Sequence, residues 1–160
     1  IKIILVLLKR QKYPKVMLLL KPVYFYNLGY LATYLIIRYK VYIGEYRRKI
    51  THEFSIIDIK AHHYVLVYEK QIIGITRIMY ENGIADLARV TVIKKYRNRG
   101  YGKELVKQVI NEVKNSQKAK IIRLHISDEA LLDFYKQFGF KENGEVYFHN
   151  VATISMIKVL

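Results

Sequence analysis

The stretch VTVIKKYRNRGYGKELVKQVI, residues 90–110, decides the fold. It opens on a β-branched run, crosses a basic turn punctuated by glycine, and ends in an amphipathic segment. After the turn, Leu105, Val106, Val109, Ile110 and Val113 recur at spacings of three and four, with Lys103, Glu104, Lys107 and Lys114 opposite. That pattern predicts a helix laid on a sheet by one face. The first amides of a helix lack intrahelical partners and point out of its positive end. Arg97 and Arg99 add charge there, while Gly100 and Gly102 permit positive φ and close approach of a ligand to the backbone. The turn therefore suits a phosphate. Taken alone, an ordinary basic strand-to-helix turn is the competing explanation.

Working outward, HHYVLVYE and QIIGITRIMY (62–80) are two β-rich runs joined by a short Lys70–Gln71 connection. Glu81, Asn82 and Gly83 make a second turn before IADLARVTVIK, so three antiparallel strands lead into the opening stretch. Beyond the helix, KAKIIRLHIS (118–127) reads as a buried strand, able to run parallel to the strand before the helix through a right-handed crossover. Ser127 or Asp128 can cap a helix over DEALLDFYKQF, with Gly139 ending it. Two strands, about 144–149 and 151–159, close the chain. Upstream, 16–24 reads as a strand interrupted at Pro22. Leu28, Leu31, Leu35, Ile36 and Tyr39 space a helix over 26–43, and 45–60 reads as a helical turn and loop.

Composition narrows the class. At 160 residues and 52% hydrophobic, the chain suffices for one core. We expect one α/β (α+β) domain over 16–160, preceded by an unassigned basic and apolar segment, 1–15. With no cysteine there is no thiolate metal site and no disulfide framework, which fits a cytoplasmic protein. The apolar run Ile3–Leu8 falls far short of the roughly 20 residues of a span, and Lys9, Arg10 and Lys12 follow it where a signal peptide would have small residues. No membrane partner is expected. Net charge is +15, of which the first fifty residues carry +10, from 11 Lys and Arg against Glu45 alone. A solvated basic surface explains this better than nucleic acid does, so specific nucleic-acid binding is not expected. A homodimer is left open.

Two motifs and the order of elements together resemble the GNAT superfamily of N-acetyltransferases. The acyl-CoA pyrophosphate loop of that family, Q/R-x-x-G-x-G/A, is met by Arg97, Asn98, Arg99, Gly100, Tyr101 and Gly102. Its aromatic helix end, F-Y-x-x-x-G-F, is met by Phe134 through Phe140. The upstream stretches IIRYKVYIGEY and HEFSIIDIKAHH are similar to an ElaA-like branch, with departures at Tyr46, at Ile126 with Ser127, and at Thr153. The resemblance implies a mixed, mostly antiparallel sheet flanked by helices. It also implies acetyl-CoA as cosubstrate, an amine as acceptor and direct transfer between them. The alternative is a non-catalytic acyl-CoA-binding or nucleic-acid-associated module.

The same resemblance implies that the backbone of Val90, Thr91 and Val92 pairs with the pantetheine amides where two strands splay apart. Residues Arg97 to Lys103 would hold the pyrophosphate. Tyr135 is the implied proton donor to the leaving thiolate, with a packing role as its alternative. For the general base, His125 on the flanking strand competes with Asp86 and Glu53, and a satisfied core histidine is the competing account of His125. His62, His63 and His149 have weaker claims. No metal site is expected, because the adjacent His62 and His63 point to opposite faces of a strand.

Overall fold

The computed structural model describes residues 18–148 and 151–160. Seven strands form one sheet: β1 (Leu19–Val23), β2 (His62–Tyr68), β3 (Gln71–Glu81), β4 (Ile84–Val92), β5 (Ile121–Ile126), β6 (Lys141–Phe148) and β7 (Val151–Val159), in spatial order β1-β2-β3-β4-β5-β7-β6. Every neighbouring pair is antiparallel except β4 with β5. The parallel pair is joined by helix α4 (Tyr101–Ser116), as a crossover requires. The remaining helices are α1 (Leu28–Arg38), which runs on as a π-helical turn over Tyr39–Glu45, two single turns, α2 (Ile50–Glu53) and α3 (Ile57–Lys60), and α5 (Leu132–Lys136).

Alternation along β2 sorts the two faces of the sheet. Tyr64 and Leu66 join a core with α4 and α5, whereas Val65 and Val67 join a second one with Tyr34 and Ile37 of α1 and Val41 and Tyr42 of the π-helical turn. All five apolar residues expected on the inner face of α4 are buried, each contributing about 1.5–3 kcal/mol. Gln108 of the same helix completes the edge strand: its side chain accepts from the Leu20 amide at 2.7 Å and donates to the Leu18 carbonyl at 2.9 Å. Pro22, facing Tyr64, sits on that edge, where a missing donor is tolerated.

Several sequence expectations shift. The β2–β3 turn is Glu69–Lys70, both at positive φ, one residue before the position expected. The helix expected over 128–138 is a 3₁₀ turn (Glu129–Leu131) followed by one short helix, and Asp128 caps the turn by accepting from the Ala130 amide. The larger correction concerns α1. Leu28, Leu35, Ile36 and Tyr39, whose spacing announced the helix, are exposed, and Tyr34, Ile37 and Arg38 face the sheet. Both sides of the helix are apolar, so spacing alone could not choose the inner one. Residues 1–15, the first residues of the strand expected over 16–24, and His149 lie outside the described residues.

Candidate active site

The parallel pairing of β4 and β5 is short. Ile84–Leu87 lie opposite Ile121–Leu124, and beyond that rung His125 and Ile126 pair only with β7. The same point of β4 carries a bulge. Ile75 faces Thr91 while Arg77 faces Ala88, so β4 holds one residue more than β3, and Arg89 takes φ +58°. Bulges bend and twist a strand, and this one turns Val90–Val92 away from β5. Gly74 accommodates the close approach of β3, since a Cβ there would lie 2.8 Å from the Thr91 carbonyl oxygen. The strand end that leads into the basic turn is thus unpaired by β5, although the Val92 carbonyl accepts from Arg97 Nε.

The turn itself folds as its residues suggest. A 3₁₀ turn (Lys94–Tyr96) brings the chain round, Asn98 and Gly100 take φ of +60° and +83°, and α4 starts at Tyr101 with no side-chain cap. The first intrahelical amide is that of Glu104, bonded to the Gly100 carbonyl, so those of Tyr101, Gly102 and Lys103 lie before the ladder begins. A Cβ on Gly100 would meet nothing within 4 Å, which leaves a bare cradle over these amides. The Tyr101 ring leans on Tyr68 and Tyr96 and fixes the helix start. Arg99, Asn98 and Lys103 are exposed. Arg97 is not free to serve an anion in the way expected: its Nε donates to the Val92 carbonyl at 2.8 Å and its Nη1 lies 2.6 Å from Glu45 Oε2. It ties the turn to the strand end and to the helical turn after α1.

Tyr135 is buried on α5, edge-on to Phe134 and Phe140. Burial pushes its phenol up to about 12. Tyr42 is raised too, chiefly by burial, with Arg89 opposing and Glu53, Tyr34 and Tyr135 adding to the rise. His125 lies one residue past the last β4–β5 rung, its ring against Phe148 at 4.9 Å and its Nδ1 without a hydrogen-bond partner among the described residues. Burial, then the Arg123 charge, lowers its pKa below 6.5, so it is neutral at pH 7 and can accept a proton.

The two carboxylates considered for the base are otherwise engaged. Asp86 faces Arg123 across the parallel rung and takes both arms of the fork, at 2.6 and 2.8 Å. Glu53, 1% exposed, lies 2.7 Å from Arg89, 3.5 Å from Arg48 and 3.9 Å from Arg38. Its negative charge balances guanidinium groups that would otherwise be buried together. Asp58 continues the cluster, 2.6 Å from Arg77 and 3.0 Å from Arg38. Arg77 and Arg89 escaped the sequence reading. The one available signal was a charged residue, Arg89, breaking the apolar alternation of IADLARVTV, which is how a bulge announces itself.

Asp58 supplies a stability prediction. Burial raises its pKa, but the Ser55 amide, the Arg77 hydrogen bond and the Arg38 and Arg77 charges together hold it below 3.8. Its contribution is therefore present above pH 3.8 and lost as pH falls through the lower folded-state value. Asp58→Asn leaves Arg38 buried with one carboxylate fewer, and we expect a loss of about 3 kcal/mol at pH 7. Urea titrations of both proteins should show that gap closing as acid protonates Asp58 in the parent.

Among the described residues, no group of three or more His, Asp or Glu is placed to hold a metal. His62 packs on Tyr80 and His63 on Tyr34, from opposite faces of β2.

Known proteins share this fold and parts of this sequence. A family model described as an acetyltransferase (GNAT) domain matches residues 42–160. A probable spermine N(1)-acetyltransferase of Bacillus subtilis subsp. natto is 32% identical over 108 residues, covering 58% of this chain and 70% of that protein. The crystal structure of Escherichia coli ElaA superposes with a TM-score of 0.76 at 19% identity, over 89% of this chain and 99% of that one. A GNAT acetyltransferase of Elizabethkingia anophelis with acetyl-CoA bound superposes with a TM-score of 0.60 at 16% identity, over 89% and 98% of the two chains.

Proposed function

The chain belongs to the GNAT acetyltransferase family, and we propose that it carries an acetyl group from acetyl-CoA to a primary amine by direct attack. The observation that carries this reading is the parting of β4 from β5 at a bulge, immediately upstream of an uncapped helix start with a bare glycine cradle. Uncapped amides at a helix start favour a phosphate. The Val90–Val92 backbone that β5 leaves unpaired suits amide groups arriving as an extra strand, and the cosubstrate supplies an activated acetyl thioester. The chain's own residues have the remaining tasks. Aminolysis needs a neutral amine, a polarised carbonyl and a proton for the leaving thiolate. His125, neutral at pH 7, is our assigned base, directly or through a water. Asp86 and Glu53, each claimed by arginine, then act as counter-ions. Tyr135 is our assigned donor to the thiolate.

The acceptor follows from charge. Relatives named for spermine make a polyamine the first amine to test. Against it, Glu53, Asp58 and Asp86 are all paired with arginine, so none offers a free carboxylate to a polycation. We therefore expect amines of lower charge to be better acceptors. The test is thiol release from acetyl-CoA across a panel running from spermine to monoamines and amino acids. Release with no amine of the panel, despite tight acetyl-CoA binding, would leave a non-catalytic binding module. In the same assay His125→Gln should abolish the acid limb of the kcat/KM profile below pH 6.5 and lower the plateau about 100-fold. An unchanged limb would remove His125 from the mechanism.

A further inference from the structure

Helix α1 is apolar on both sides. Tyr34 and Ile37 bury against the sheet, while Leu28, Leu35, Ile36 and Tyr39 form an outward stripe, 40–72% exposed. A helix apolar all round is normally covered on both sides. The stripe continues into a groove of about 460 Å³ lined by Leu35, Ile36, Tyr39, Lys40, Ile50 and Phe54. Past the groove, Ile56 and Ile59 are 79% and 83% exposed.

The charges around this surface are one-sided. Residues 18–60 contain three acids, and each is held internally: Glu45 by Arg97, Glu53 by Arg89, Asp58 by Arg77. Lys40 lines the groove itself, and Arg47, Lys49 and Lys60, exposed in the segment that carries it, have no carboxylate of this segment left to neutralise them. Two copies meeting through this face would oppose like charges. The basic residues of the first twelve positions, Lys2, Lys9, Arg10 and Lys12, would meet the same repulsion.

We propose that the outer face of α1 and the turn following it docks the protein on an anionic phospholipid surface. The apolar side chains enter the headgroup boundary, Tyr39 sits at its level, and the lysines reach lipid phosphates. The attachment proposed is peripheral, and it revises the expectation of no membrane partner, which rested on the lack of a spanning run; no helix among the described residues is long and apolar enough to cross a membrane.

Sedimentation of the full chain with phosphatidylcholine vesicles, with and without phosphatidylglycerol, tests it. The anionic vesicles should bind at least about tenfold tighter, an advantage that shrinks with salt. Leu35→Glu with Ile36→Glu should cost about tenfold or more, and Lys40→Glu with Lys49→Glu about as much. All four side chains point outward, so circular dichroism and thermal melting should stay unchanged. Equal binding to both vesicle types, binding untouched by either pair of substitutions, or a vesicle-free dimer that the Leu35/Ile36 pair dissociates would overturn the proposal.

Discussion

Tyr135→Phe is expected to lower kcat about 100-fold while leaving acetyl-CoA affinity within about threefold. The substitution keeps the ring that packs edge-on to Phe134 and Phe140 and removes only the proton. With its pKa pushed to about 12, the phenol stays protonated across the working range, so its donor is always present. The same burial limits what the donor can do. A thiol of ordinary pKa near 8.5 is some 3.5 units more acidic, so complete transfer from this phenol to a solvated thiolate is uphill by about 5 kcal/mol. Transfer becomes balanced only as the departing sulfur is itself desolvated, which raises its basicity in the same direction. Tyr135 is thus better suited to stabilising the developing thiolate by a hydrogen bond, passing the proton late. That argues for a loss at the lower end of the general-acid range. Thiol release at saturating amine and acetyl-CoA measures it, and turnover within twofold of the parent would make Tyr135 a packing residue.

How far the site could be read in advance depended on the kind of interaction involved. The turn at 97–103 and helix α4 were legible because their determinants are local: a glycine, Gly100, at positive φ, and one apolar face against one charged face. The buried five of α4 followed directly. The order of strands was legible for the same reason, Asn82–Gly83 marking one turn and the crossover helix forcing a parallel pair. Helix α1 was legible as a helix but not in its orientation, because aliphatic and aromatic residues occupy both sides and only the sheet decides between them. The arginine and carboxylate cluster was not legible at all. Glu53, Asp58, Arg77 and Arg89 come from four separate elements, and a charge in a sequence carries no mark of its future partner. Asp86 and Glu53 therefore looked available as bases until the pairing with Arg123 and Arg89 appeared. Arg97 misled in the same way: its charge suggested an anion, and its geometry spends that charge on Glu45 and Val92.

Gly100→Glu should weaken acetyl-CoA binding by more than about 100-fold, equivalent to about 2.7 kcal/mol, in a protein that still folds. Space is not the obstacle, since a Cβ at this position meets nothing within 4 Å. Backbone strain is modest: a non-glycine residue at φ +83° costs about 1–2 kcal/mol at one exposed position. The loss has a different origin. A carboxylate tethered at the start of α4 lies beside the amides of Tyr101, Gly102 and Lys103, where the helix end stabilises negative charge. It would occupy intramolecularly the place proposed for the pyrophosphate and repel the incoming di-anion as well. Gly100→Ala separates these effects, because it carries the strain without the charge and should cost only about tenfold. Calorimetric titration of acetyl-CoA into the three proteins, each checked by circular dichroism, decides the matter. If Gly100→Ala weakens binding as much as Gly100→Glu, backbone conformation and not anion competition governs the loop. If a folded Gly100→Glu protein binds acetyl-CoA as the parent does, the loop is not where the phosphates sit.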